Sequence, residues 1–180
     1  VGVCDFIEDT HYSKDQCYAD LAYLLNDELL CQKRKNKDNR NQCYYYLYLY
    51  HDRFDINDCR NITDSYFRDS CFLEFAVARK DYNICIYLHD ADQKESCTAR
   101  IAEQKGSAVP CKQLKNPYWM DYCFQGVAVM TGTIAPCADI KNAQSSAENP
   151  FTLHGCISAV AKQSNDPGIC YQISETQDMY

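Results

Sequence analysis

The chain has 180 residues, 13 cysteines, 15 tyrosines and a formal net charge of −7. That length suits one ordinary domain or one short repeat array. The cysteine density is at odds with a reducing cytosol, and the acidic balance argues against a nucleic-acid partner.

Metal binding is disfavoured, because no C-x-x-C pair occurs and His11, His51, His89 and His154 share no spacing with the cysteines. The cysteines therefore read as disulfides of an extracellular or otherwise oxidising compartment. No apolar run approaches the ~20 residues that a membrane span requires. The chain opens at Val1 without a charged leader, so a secretory signal is expected to have been removed.

The cysteines fall at Cys4, Cys17, Cys31, Cys43, Cys59, Cys71, Cys85, Cys97, Cys111, Cys123, Cys137, Cys156 and Cys170. From Cys59 to Cys137 the steps alternate between 12 and 14, a period of 26 with two cysteines per repeat. Such a period governs every local assignment. Each repeat is expected to hold a short helix A around its first cysteine and a longer helix B opened by its second. The repeats start near residues 1, 28, 56, 82, 108 and 134, and a half repeat covers 167–180.

In the first repeat, helix A carries Cys4 and Ile7 without a capping residue. Helix B carries Tyr18, Leu21 and Ala22 at one, four and five residues after Cys17, which is one stripe of an α-helix. Glu8, Asp9 and Asp15 form no pair suited to acid–base chemistry and read as cap or surface carboxylates.

The second repeat is the irregular one. Asp27, four residues before Cys31, is placed to accept from the free N–H groups of a first helical turn. Arg34 then stands where other A helices carry an apolar residue. With Lys33, Lys35, Lys37 and Arg40 it forms a basic cluster, read as a solvated inter-helix loop, with anion binding as the alternative. Helix B follows in "CYYYLYLY", residues 43–50, whose alternating tyrosines imitate a strand. The repeat template instead puts Tyr44, Leu47 and Tyr48 on the buried stripe of a helix. Tyr48 replaces the usual alanine, and Tyr45, Tyr46 and Tyr50 fall off the stripe, where their amphipathic rings suit protein or glycan contact or packing on a neighbouring repeat. The link to the next A helix has two extra residues, so local irregularity is expected here.

The later repeats keep the pattern. Asp55, Asp81, Ser107, Thr133 and Asp166 occupy the A-cap position, and Ile62, Leu88, Leu114, Ile140 and Ile173 follow each first cysteine by three. Pro167 fits the first helical position, and Pro110 and Pro136 fit the first turn. The B stripes read Phe72, Phe75 and Ala76; Thr98, Ile101 and Ala102; Phe124, Val127 and Ala128; Ile157, Val160 and Ala161. "NIT" at Asn61–Thr63 is an N-glycosylation acceptor pattern. "NAQSSAENPFTLHG", within the 141–155 stretch, lengthens one A–B turn by seven residues and is the expected exposed loop. The chain ends at Tyr180, just short of the partner that Cys170 would find near position ~182 on the period. Both ends thus look cut, as in a window on a longer array or in subunits that stack head-to-tail. Cys170 is expected to be unpaired or intermolecular.

Antiparallel packing brings the two cysteines of one repeat level across the A–B turn, whereas a B cysteine and the next A cysteine are offset by several ångströms along their helices. Bridged cysteines need Cα atoms within about 7 Å. The expected pairs are Cys4–Cys17, Cys31–Cys43, Cys59–Cys71, Cys85–Cys97, Cys111–Cys123 and Cys137–Cys156. Short helices are poor cooperative units in water, and each small crosslinked loop contributes roughly 3 kcal/mol in the chain-entropy model. The fold class that follows is all-α: disulfide-stapled helix-turn-helix repeats stacked as an α-solenoid.

The pattern C-x-x-I, R-D-x-C-[YF]-x-x-[LF]-A, D-x-x-x-C is clearest at Cys59, Ile62, Arg68, Asp69, Cys71, Phe72, Phe75, Ala76, Asp81 and Cys85. It resembles cysteine-rich helical-repeat surface proteins of small-genome archaea, a resemblance that implies location and architecture but no activity. The staple design also resembles Sel1-type helix pairs, with a different period and without their glycines. No Ser/His/Asp order, phosphate-binding glycine loop or H-E-x-x-H appears, and twelve of the cysteines look interchangeable, so neither a catalytic residue nor a cofactor is expected. The expectation is a secreted, non-enzymatic structural protein, the subunit of an extracellular filament or surface appendage. The alternative is an extracellular module that binds a protein or glycan.

Overall fold

The computed structural model describes residues 2–7, 11–51, 55–142 and 146–171, the side chains of 11–13 excepted. Among the described residues every regular element is helical and none is a strand. They form two compact units, Val1–Ala78 with Tyr87–His89, and Arg79–Ile86 with Asp90–Tyr180.

The first unit holds the 3-10 helix η1 (Gly2–Phe6), α1 (His11–Leu25), α2 (Glu28–Gln32), α3 (Lys37–Tyr50), the 3-10 helix η2 (Asp58–Asn61) and nearly all of α4 (Ser65–Arg79). "CYYYLYLY" lies inside α3, so the helical periodicity overrides the strand-like alternation. Leu47 and Tyr48 are fully buried on its inner stripe, as are Ile62, Ala76 and Leu30 elsewhere in the unit.

The second unit holds most of η3 (Tyr82–Tyr87), then α5 (Ala91–Lys105), η4 (Pro110–Gln113), α6 (Pro117–Thr131), η5 (Ala135–Asp139), α7 (Leu153–Ser164) and η6 (Pro167–Tyr171). Its core is the B stripe itself: Phe124, Val127, Ile157 and Val160, with Leu114 and Ile140 supplied by the segments that follow the first cysteines. Each such side chain, fully removed from water, contributes about 1.5–3 kcal/mol. At Gly126 of α6 an added Cβ would lie 2.9 Å from Glu103 Cδ, so the Glu103 side chain of α5 lies over this glycine.

All the A elements except α2 are 3-10 rather than α-helical. They share one local bond with α2. Three residues after the cysteine, the N–H of Ile7, Arg34, Ile62, Leu114 or Ile140 donates to the cysteine carbonyl three back, at 3.0–3.3 Å. At Ile62, Leu114 and Ile140 the backbone then turns extended and leads into helix B. Runs this short favour the tighter winding. Ile173 lies outside the described residues.

All the B helices except α3, which ends at His51 in extended backbone, finish in a shared device that the sequence reading did not anticipate. Asn26, Lys80, Gly106, Gly132 and Asn165 all adopt a left-handed backbone, with φ between 53° and 67°. Each immediately precedes an A-cap residue. Asp27, Ser107, Thr133 and Asp166 donate their N–H to the carbonyls of Ala22, Ala102, Ala128 and Ala161, which closes a Schellman motif on the buried alanine of each stripe. The capping expectation holds at Asp27, Asp81 and Asp166, whose carboxylates accept from the N–H two residues on, whereas the same bond from Asn57 N–H to Asp55 lies ahead of η2, which has no side-chain cap. At Ser107 and Thr133 it does not. There η4 and η5 begin later, at Pro110 and Ala135, without a side-chain cap; the backbone N–H of Ser107 and Thr133 is used, and the Thr133 hydroxyl pairs with Thr131 Oγ1 at 3.1 Å.

Candidate functional site

Within each repeat the structure joins the first and second cysteines: Cys4–Cys17, Cys31–Cys43, Cys59–Cys71, Cys85–Cys97, Cys111–Cys123 and Cys137–Cys156. Their Cα atoms are 5.5–5.8 Å apart, a separation a disulfide spans without backbone movement. Cys170, on η6, is free and exposed.

A second connector runs from each repeat to the next. Two residues before the B cysteine stands an acid or its amide: Asp15, Asn41, Asp69, Glu95 or Asp121. Its side chain accepts the backbone N–H found four residues after the next A cysteine. Asp15 takes Lys35 N–H at 3.0 Å, Asn41 takes Thr63 N–H at 3.0 Å, Asp69 takes His89 N–H at 2.8 Å and Glu95 takes Lys115 N–H at 3.2 Å. Asp121 stands at the same register with the Lys141 N–H favouring its ionised form, and its carboxylate accepts Asn149 Nδ2 at 2.8 Å. These groups are buried except for Glu95, which is half-buried. An unpaired N–H at such a junction would be costly, and the acid removes that cost. Asp15 is therefore neither a cap nor a surface carboxylate, whereas Glu8 and Asp9 lie outside the described residues. In α7 the corresponding residue is His154, which is exposed.

The connectors differ in charge behaviour. Burial opposes ionisation of Asp15, but the Asn39 amide, the Lys35 and Asn36 N–H groups and the Arg34 charge outweigh it, and its carboxyl stays below the usual range. At Asp121 burial prevails over the Asn149 amide and the Lys141 N–H, and the carboxyl is pushed up.

The strongest departures from the repeat converge on α3. Arg34 replaces the apolar residue after the first cysteine yet is only 5 % exposed, and its Nη1 donates to the Asn39 carbonyl at 2.7 Å. Tyr48 replaces alanine, and its hydroxyl donates to Glu28 Oε2 at 3.0 Å. Burial, eased by Asn61 and reinforced by Glu28, holds that phenol protonated far above its ordinary range. The off-stripe tyrosines divide between two grooves. Tyr46 lines a cavity of about 270 Å³ between α1 and α3, together with Gln16, Asp20, Tyr23, Arg34 and Gln42. Tyr45 and Tyr50 line a second, of about 310 Å³, with Leu49 of α3 and Glu74 and Phe75 of α4. Tyr46 stacks on Tyr50 with ring centroids 6.2 Å apart, and Tyr23 meets Tyr50 edge-on. Tyr46 and Tyr50 remain 45 % and 63 % exposed, so part of the tyrosine surface is spent on intramolecular contact and part faces solvent.

The other residues singled out by the sequence are scattered. The basic cluster is not one surface. Lys33, Lys35 and Lys37 are exposed, Arg34 is buried and Arg40 donates from Nη1 to the Arg34 carbonyl at 3.0 Å. Asn61, at the exposed end of η2, donates a long 3.4 Å hydrogen bond to the Tyr48 hydroxyl, while Thr63 bonds Asn41. In the long turn, residues 146–148 are exposed. Its base is tied by Asn142 Nδ2 to the carbonyls of Asn149 and Phe151, and by Asn149 Nδ2 to Asp121 at 2.8 Å. Phe151 packs edge-on against Tyr118 and Tyr122. Among the described residues no group of three metal-ligating side chains comes together, and no helix is long and apolar enough to cross a membrane.

No family model matches the chain, and neither does any curated protein or solved structure. The inter-repeat connectors escaped the sequence reading although their signal was present: five acids or amides at one register, of which Asp69 figures there only in the R-D-x-C pattern and Asp15 only as a cap or surface carboxylate.

Proposed function

We propose that this chain is a secreted structural protein of the extracellular space or cell surface, a repeat subunit of a filament or appendage. The observation that carries this reading is the recurrence of one junction, with an acid or amide clamping the next repeat's backbone at Asp15, Asn41, Asp69, Glu95 and Asp121, beside a disulfide inside every repeat. A junction that recurs at one register, with N–H to acceptor distances of 2.8–3.2 Å, suits extension by addition. The disulfides fit an oxidising compartment. Cys170 stands at the first-cysteine register with its thiol exposed, where a further repeat, from the same or another molecule, would be stapled. Asn61 offers an exposed position for a glycan. Electron microscopy with non-reducing gel analysis tests the assembly. Fibres or a ladder of multiples support it, and a stable monomer that forms neither overturns it.

A second reading, an extracellular binding module, is favoured by the two tyrosine-lined grooves beside α3. Its direct test is replacement of Tyr45, Tyr46 and Tyr50 together by alanine. Loss of binding to an extracellular ligand with helicity retained supports it, and a parent protein that binds no extracellular protein or glycan overturns it.

A further inference from the structure

We infer that the groove between α1 and α3 is a saccharide-binding site for a neutral pyranose; this rests on the binding-module reading and assigns its ligand class and residues. At this groove one repeat breaks the rule that the others keep. Where four described repeats bury Ile62, Leu88, Leu114 or Ile140, this one buries the Arg34 guanidinium at the groove floor. Local rules are broken in proteins chiefly where function compensates.

The lining has the chemistry of sugar recognition. Asp20, Gln16 and Gln42 supply a carboxylate and two amides, the mixed acceptors and donors that vicinal hydroxyls require. Gln16 Nε2 donates to Asp20 Oδ1 at 2.8 Å, which orients that carboxylate. Tyr23 and Tyr46 provide aromatic surface at the rim, and both remain about half exposed, at 50 % and 45 %. A pyranose presents its axial C–H groups as an apolar face that packs on such a ring while its hydroxyls reach the polar floor. One acid and one guanidinium balance each other, which favours an uncharged ligand over an anion. Of the aliphatic side chains in the lining, Leu47 is 1 % exposed and Ala19 offers a single methyl group, so the groove lacks the open aliphatic pocket that anchors a peptide side chain. A cavity of about 270 Å³ accommodates one or two sugar rings.

The test is nitrogen-15 shift mapping of the intact, oxidised protein titrated with cellotetraose, laminaritetraose, chitotetraose and mannotetraose at millimolar concentration. The expected result is that at least one shifts the side-chain amides of Gln16 and Gln42. Tyr46→Ala should weaken that binding about tenfold, and Asp20→Ala should weaken it as well, both with unchanged helicity because both side chains are exposed. A saccharide that binds but shifts the 146–151 turn instead, or that binds Tyr46→Ala unchanged, overturns the groove assignment and leaves the binding-module reading standing. Absence of shifts with all four probes overturns the saccharide assignment, while the broader reading still answers to the triple tyrosine variant.

Discussion

Asp69→Ala isolates the inter-repeat connector. The Asp69 carboxylate is 3 % exposed, accepting His89 N–H at 2.8 Å and facing His89 Nδ1 at 2.9 Å. The ring is mostly exposed, so that second contact is screened and adds little. The backbone bond is different, because a hydrogen bond to a charged group is worth about 1.5–3 kcal/mol net and its loss strands a donor. The expected cost is about 2–3 kcal/mol, or a fall in Tm of roughly 5–10 °C for a chain of this size. Asp69→Asn keeps an acceptor for the His89 N–H and should cost under about 1 kcal/mol. Thermal unfolding followed by circular dichroism, with the disulfides intact, reads the shifts, and hydrogen exchange reads protection of the His89 amide. A Tm change below about 2 °C for Asp69→Ala, with that amide still protected, would refute the connector's role.

Asp121 and Asp15 predict opposite pH dependences. The folded pKa of Asp121 is raised, so its favourable contribution is complete below the ordinary carboxyl value of 3.8 and is lost as pH rises through the folded value. The folded pKa of Asp15 is lowered, so its contribution is present above 3.8 and is lost as pH falls through the folded value. Raising the pH from strongly acidic to neutral should therefore favour Asp121→Asn relative to the parent and disfavour Asp15→Asn, with Tm against pH as the measurement and parallel curves as the contrary result. Lys80, left-handed at φ 53°, bears a cost that asparagine largely avoids. Lys80→Asn should stabilise by about 0.5–1 kcal/mol, read by thermal unfolding. Replacing Cys85 and Cys97 together by serine should cost about 3 kcal/mol, read by denaturant unfolding.

What the sequence revealed was whatever repeats as side-chain identity. The steps between cysteines assign "CYYYLYLY" to a helix, because Leu47 and Tyr48 must share a face with Cys43 at 3.6 residues per turn. The buried alanines and the apolar residue after each first cysteine were legible for the same reason. The 3-10 winding of the A elements was not, since it depends on one N–H choosing the carbonyl three back over the one four back. The connectors were hidden because their partners are backbone amides. Lys35, Lys115 and Lys141 share their register with Thr63 and His89, and a backbone N–H is offered by any of these residues, so nothing in the side chains there points back to the acid. The left-handed caps were masked likewise, with Asn, Lys and Gly filling one conformation. The grooves beside α3 required the packing of separate helices before Arg34 and Tyr46 were seen to meet.

Peptide mapping of the unreduced protein by mass spectrometry tests the stapled repeat most directly. The account predicts linked peptides for the six pairs within repeats, Cys85–Cys97 and Cys111–Cys123 among them, and a free or intermolecular Cys170. A Cys97–Cys111 link between repeats, or a full complement of reduced thiols, would contradict it.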